Sequence, residues 1–152
     1  HFDLVLTPIL PQGGEFKQQK LFEDEYVCFF DPKCTDAPKT LDDYLSRHHA
    51  RIVFSTIETN LIDQLLSTMG KSRRVALQVP SFAGLPGLMK GTELIALLPS
   101  SIRKSIMIDF DLGPSPIMID DLKVHQIWHS RDDDSPLHEW IRTFLKQLAS
   151  KI

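Results

Sequence analysis

The stretch VPSFAGLPGLMKGTELIALLP, residues 79–99, decides the fold. It reads as a strand halted by Pro80, a short helix broken by glycine and proline, and then a second apolar strand. A junction of strand end and helix start is where open α/β sheets take ligands. Ser81 and Phe82 stand at that junction, offering a hydroxyl and an aromatic face.

Outward from this stretch, strand and helix patterns alternate. FDLVLTPI (2–9) is a nearly continuous apolar run, the pattern of a strand buried on both faces. LPQGGEF (10–16) is a turn, and strand-like pieces follow at 17–22 and 25–30. DPKCTDAPK (31–39) is a polar loop. Thr40 is placed to cap a helix whose first turn carries Asp42 and Asp43, as the helix dipole favours. His48 and His49 are expected to end that helix.

ARIVFS (50–55) is a strand. Asn60 caps a helix whose Leu61, Ile62, Leu65, Leu66 and Met69 share a side, and Gly70 follows where a left-handed residue belongs. RRVALQVP (73–80) is a strand, SIRKSIMIDFDLGPSP (101–116) is irregular or a short helix, and LKVHQIW (122–128) is a strand. The last helix opens with Ser135 as cap and Pro136 at its first position. Its stripe of Leu137, Trp140, Ile141, Phe144, Leu145 and Leu148 is expected to be buried along one whole side. The alternation predicts βαβ crossovers and a largely parallel sheet.

Composition narrows the function classes. The chain has 152 residues, 42% hydrophobic and 24% charged, enough for one core or two small lobes and unlike a disordered segment. A net charge of −3 and a pI near 6.1 give it no basic face with which to grip nucleic acid alone. No apolar run approaches a membrane span. Cys28 and Cys34 lack zinc-ligand spacing, and Cys28 lies in the apolar YVCFF, so a reducing cytoplasm is the expected compartment. The abrupt apolar opening suggests a segment of a longer protein.

The chemical motifs reduce to binding. Gly70-Lys71-Ser72 lacks the upstream glycine of a phosphate-binding loop, and Leu65 stands in its place; a helix C-cap accounts for it. His125 and His129, four apart on a strand, lie about 13 Å from each other, too far to share a metal. Asp132, Asp133 and Asp134 read as a solvated loop. Ser81 lies in no G-x-S-x-G elbow and has no local histidine base, so neither catalytic nor metal residues are expected. In a parallel sheet the ends marked by Thr7-Pro8, Ser55-Thr56 and Pro80-Ser81-Phe82 would fall along one edge, where helix N-termini suit a carboxylate.

KLFEDEYVCFF (20–30), TLDDYL (40–45), RRVALQVPSFAGLPGLMKGTELIALLP (73–99) and IWHSRDDDSPLHEWIRTFL (127–145), in that order, resemble the effector-binding domain of LysR-type transcriptional regulators. The nodulation regulators and activators of aromatic catabolism are the branch they are most like. The resemblance covers residues 2 to about 149. It implies an α/β fold like the type 2 periplasmic binding proteins, two Rossmann-like lobes joined by two crossing strands, EYVCFF and VHQIW.

By that resemblance residues 1–30 and 123–152 form a first lobe truncated at its N-terminus, and 31–122 the second. It implies that a small organic or aromatic acid binds in the interlobe cleft and switches transcription, touching Thr7, Pro8, Ser55, Thr56, Pro80, Ser81 and Phe82. No cofactor is implied. His129 matches a motif residue with a structural role. Dimers or tetramers are expected, with DNA bound through a separate N-terminal winged helix-turn-helix and RNA polymerase contacted by the intact protein. The alternatives are an extracytoplasmic solute-binding protein and a small α/β enzyme using Ser81 or His129.

Overall fold

The computed structural model describes residues 3–11, 13–53 and 60–152. These divide into two compact units, one made of His1–Glu25 with Asp121–Ile152 and one of Tyr26–Asp120. The chain therefore passes between them twice, at 25–26 and at 120–121.

The second unit holds a five-stranded sheet in the order β5-β4-β6-β3-β7, where β3 is Tyr26–Phe30, β4 His48–Ile52, β5 Arg74–Val79, β6 Ile95–Pro99 and β7 Asp111–Pro114. β4 runs parallel to β5 and β6, while β3 runs antiparallel to β6 and β7. The sheet is thus mixed rather than largely parallel. Residues 26–30, grouped with the first lobe on the resemblance, pair inside this sheet.

Period-two alternation on the inner strands sorts two cores. Val27 and Phe29 of β3 and Ala96 and Leu98 of β6 point to one side, against Leu85, Met89, Met107 and Phe110. Cys28 and Phe30 with Ile95 and Leu97 point to the other, against Tyr44, Ile62 and Leu66. Helix α1 (Leu41–Ser46) and α2 (Leu61–Thr68) cover that second side. Helix α3 (Leu85–Met89) covers the first.

The local signals at Thr40, Asn60 and Gly70 act as read, while Ser135 sits at the N-cap of the Pro136–Ala149 helix without a side-chain capping bond. Thr40 Oγ1 accepts the Asp43 N–H at 3.1 Å, and Asn60 Oδ1 the Ile62 N–H at 3.0 Å. Gly70 has φ +66°, with Lys71 N–H bonded to Leu66 O and Gly70 N–H to Ser67 O, a Schellman ending that accounts for the Gly-Lys-Ser motif. His48 and His49, however, do not end a helix: α1 stops at Ser46 and both belong to β4. His49 is fully buried, donating from Nε2 to Tyr44 O at 2.8 Å and meeting the Tyr44 ring edge-on.

The first unit is a three-stranded antiparallel sheet, β1-β8-β2, with β1 Val5–Thr7, β2 Phe16–Asp24 and β8 Leu122–His129. Helix α4, Pro136–Ala149, packs against it. β1 is an edge strand with Val5 and Leu6 40% and 50% exposed, not a strand buried on both faces. The apolar run of residues 2–9 specifies an extended segment but not the partners that would cover it.

The stripe on α4 is likewise not buried. Leu137 and Trp140 are more than 60% exposed, and the Trp140 and Phe144 rings stack at 5.5 Å on the outer surface. Arg142 and Ala149 are the buried residues of this helix. Arg142 explains the rotation: its guanidinium lies 4.5 Å over the Trp128 ring and donates to the carbonyls of Asp132 and Asp133. Turning that cation inward carries the apolar stripe outward.

Candidate functional site

The carboxyl ends of β4 and β5 lie side by side, with Ile52 opposite Val79 and Val53 N–H bonded to Val79 O at 2.9 Å. β5 is followed by Pro80, then by a turn of 3₁₀ helix at Phe82–Gly84 leading directly into α3. Pro80 cannot donate to a strand ladder, so β5 stops there. Ser81 sits extended at the N-cap position, φ −154° and ψ 157°, but its side chain makes no capping bond. It is exposed. Phe82 is partly buried and leans on the core beneath, among Leu85 and Met89. A fixed ring and an uncommitted hydroxyl thus stand together at a strand end.

Ser55 and Thr56 lie outside the described residues. Thr7 and Pro8 end a strand of the antiparallel sheet of the first unit, so a single parallel sheet edge does not gather all three pairs. Thr7 Oγ1 accepts the Ile9 N–H at 3.0 Å, and Pro8 is exposed.

The remaining candidates have structural partners. His129 Nδ1 accepts the Arg131 N–H at 3.1 Å, which caps the turn Ser130–Asp132 and leaves the proton on Nε2. Its ring meets Phe16 edge-on. Asp133 accepts the Trp128 indole N–H at 3.0 Å and pairs with Lys17; those two bonds, first the indole and then the ammonium, hold its carboxyl below the ordinary range. Burial pushes the Cys28 thiol up to about 12, so it stays protonated and inert. Among the described residues no cluster of His, Cys, Asp or Glu could hold a metal ion, and no helix is long and apolar enough to cross a membrane.

One feature was not anticipated from the sequence. In the first unit a cavity of about 520 Å³ is lined by Val5, Thr7, Ile9, Phe16, Ile127 and His129 together with Pro11 and Trp128. Its walls come from segments more than a hundred residues apart. The available signal was period two: Val5 with Thr7, and Ile127 with His129, share a sheet face.

A mixed sheet with helices on both sides and a polar turn at a strand end defines an α/β domain with a candidate binding turn. The model of the LysR substrate binding domain matches residues 1–150, and the chain belongs to that family, whose members are regulatory and not enzymes. Among curated relatives, the HTH-type transcriptional activator NagR of a Ralstonia species is 29% identical over 97% of this chain and 50% of its own length. Nodulation protein D 1 of Sinorhizobium fredii is 28% identical over 99% of this chain and 48% of its own. The chain thus spans about half the length of the curated relatives it matches.

The regulatory domain of MexT, a transcriptional activator in Pseudomonas aeruginosa, superposes with a TM-score of 0.81 at 22% identity, covering 95% of this chain and 72% of that one. The effector binding domain of QuiR in complex with shikimate gives 0.71 at 16%, covering 99% and 73%. These likenesses establish the mixed α/β fold of LysR regulatory domains.

Proposed function

We propose that this chain senses a small organic acid, cyclic or aromatic, and passes its binding state to the transcription machinery of a larger DNA-binding regulator. The two units are then the two lobes of the type 2 binding-protein fold, and the passages at 25–26 and 120–121 are its two crossings. The observation that carries the reading is the turn at Pro80-Ser81-Phe82. Its hydroxyl is spent on no cap, and its ring is braced by a core covered on both sides. A carboxylate suits the Ser81 hydroxyl and a ring suits Phe82. Shikimate, the compound held by the QuiR domain, combines a ring with a carboxylate.

Ser55 and Thr56 are the remaining effector contacts in this proposal. Binding shifts an equilibrium between two arrangements of the regulator, for which a coupling of about 1–3 kcal/mol suffices. Self-association accompanies it, supported by the uncovered apolar side of α4. The setting is cytoplasmic, with DNA contacted by another part of the protein and RNA polymerase as the downstream partner.

Calorimetric titration with shikimate and with benzoate tests the reading. Ser81→Ala and Phe82→Ala are each expected to weaken the better-bound acid at least fivefold, with the folded state retained by circular dichroism. Undiminished affinity in both variants would remove the turn from the site.

A further inference from the structure

We propose that Ser100 is a second hydrogen-bonding group of the acid site, and that it selects a ring acid carrying a hydroxyl opposite its carboxylate. This role rests on the acid site at the Pro80–Phe82 turn and names what decides between acids there.

The register sets the two serines level. In the second unit β4 runs parallel to both its neighbours, β5 and β6, so the carboxyl ends of all three lie on one edge of the sheet. Ile52 of β4 stands opposite Val79, and Ser81 follows Val79 by two residues. On the other side His49 stands opposite Ile95; three residues further along each strand Ile52 is level with Leu98, and Ser100 follows Leu98 by two. Each serine is thus two residues past the level of Ile52, one strand to either side of it. With neighbouring strands about 4.8 Å apart, the two are separated by roughly 9.6 Å.

Alternation puts them on one face. Leu77 and Val79 of β5, and Ala96 and Leu98 of β6, belong to the core beneath α3, and the next alternate residues are Ser81 and Ser100. Ser100 opens a turn of 3₁₀ helix, Ser100–Lys104, whose Ile102 packs on the same core as Phe82. The chain leaves β4 for α2 on one side of the sheet and leaves β5 for α3 on the other. Where neighbouring strands send their connections to opposite sides, a crevice opens at their carboxyl ends.

A ring acid laid across this edge meets Ser81 with its carboxylate, Phe82 with its face, and Ser100 with whatever stands opposite the carboxylate. A benzene ring with oxygens at opposite ends fits the spacing once an angled hydrogen bond of about 2.7 Å is added at each end. A serine hydroxyl has one hydrogen to donate and two lone pairs, so it can serve a ligand beside a partner within the protein. Ser100 is half-buried, and an apolar group set against it would displace water from the hydroxyl and return no bond. A site of that kind rejects the analogue that lacks the hydroxyl.

The test titrates para-hydroxybenzoate and para-methylbenzoate, matched in size and carboxylate, into the 152-residue chain by calorimetry. The hydroxyl compound is expected to bind at least fivefold tighter. In Ser100→Ala the two are expected to bind within twofold of each other, through loss of affinity for the hydroxyl compound alone. If Ser100→Ala fails to fold, Ser100→Cys decides, because its thiol is too weak a donor and acceptor to hold the preference. Ser101→Ala, next to it, is expected to leave both affinities unchanged. Ser81→Ala and Phe82→Ala are expected to weaken both acids alike, and so report on the turn itself. Binding of neither acid, or insensitivity of both acids to those two variants, would remove the acid site and the role of Ser100 with it. Binding that depends on the turn but shows no preference for the hydroxyl compound would overturn the role of Ser100 alone. So would a preference that survives the Ser100 variant or disappears in Ser101→Ala.

Discussion

Replacing Asp63 by alanine strips the partner from a guanidinium that has almost no water to turn to. The side chain of Arg73 is 1% exposed, and its Nε donates to Asp63 Oδ1 at 2.6 Å. Its other nitrogens reach Tyr44 Oη and Asn60 Oδ1, each at 3.2 Å, and neither acceptor carries charge. Asp63 also accepts from Arg51 at 2.7 Å. Burial by itself would raise the Asp63 carboxyl, but the bonds and charges of Arg73 and Arg51 outweigh it and hold the group below the usual range. Arg51 keeps two bonds to Gln78 when Asp63 is removed, so the loss falls on Arg73. Leaving a buried charge unpaired costs about 3–5 kcal/mol, which for a chain of this length lowers the melting temperature by roughly 6–20 °C. Thermal and urea unfolding of Asp63→Ala measure it. Adding Arg73→Met to Asp63→Ala removes the orphaned charge, and recovery of at least half the loss is expected. A single variant that costs under about 1 kcal/mol, or a double variant worse than the single, would refute the reasoning.

Three further outcomes are expected. Burial holds His49 at about 4, below its unfolded value of about 6.5, so its contribution is full above pH ~6.5 and is lost as pH falls toward ~4, by about 3 kcal/mol; urea midpoints across that window show the slope, and His49→Leu should flatten it. Gly113→Ala would set a Cβ well inside van der Waals contact distance of Ala37 Cβ, a stub with no rotamer to yield, and is expected to cost about 1–3 kcal/mol in urea titration. Trp140→Ala removes an outward-facing ring stacked on Phe144, so a loss of about 0.5–1.5 kcal/mol is expected by thermal melting, and a loss of several kcal/mol would show a covered ring.

The features legible in the sequence are those set by neighbours along the chain. Thr40, Asn60 and Gly70 do their work within a turn of themselves, where side-chain oxygens and a positive φ decide the outcome. The strand–turn–helix reading of residues 79–99 rests on Pro80 and on the alternating cores of β6, and it appears in the structure as β5, the Phe82–Gly84 turn, α3 and β6. Other properties depend on distant segments and were not legible. Strand direction is one, since β3 meets β6 and β7 antiparallel beside a parallel pair. Another is which side of an amphipathic helix is covered. Periodicity finds the apolar stripe of α4, but the inward face is set by Arg142 against Trp128, a contact that helical spacing does not encode. The first-unit cavity is of the same kind, because Val5 and Ile127 become neighbours only when β1 pairs with β8.

The two units are held together by different means, and this bears on sensing. In the second, the sheet is covered on both faces, and the candidate turn rises from a strand whose end is bonded to its neighbour through Val53 and Val79. Such support keeps a binding geometry fixed, as the proposed recognition of a small acid requires. In the first, much of the cohesion is polar: Gln126 donates to Gln19 and to Arg142 O, and Arg142 and Trp128 close on the Asp132–Asp133 backbone and carboxylate. The Oε1 of Gln126 is buried without a partner among the described residues. A network with an unused acceptor, beside apolar groups still open to solvent, has more than one way to improve its contacts. A coupling of a few kcal/mol is small against a closed core but large against such an arrangement. Under the proposed function, the first unit is where a binding signal of that size would be expressed as a change of structure.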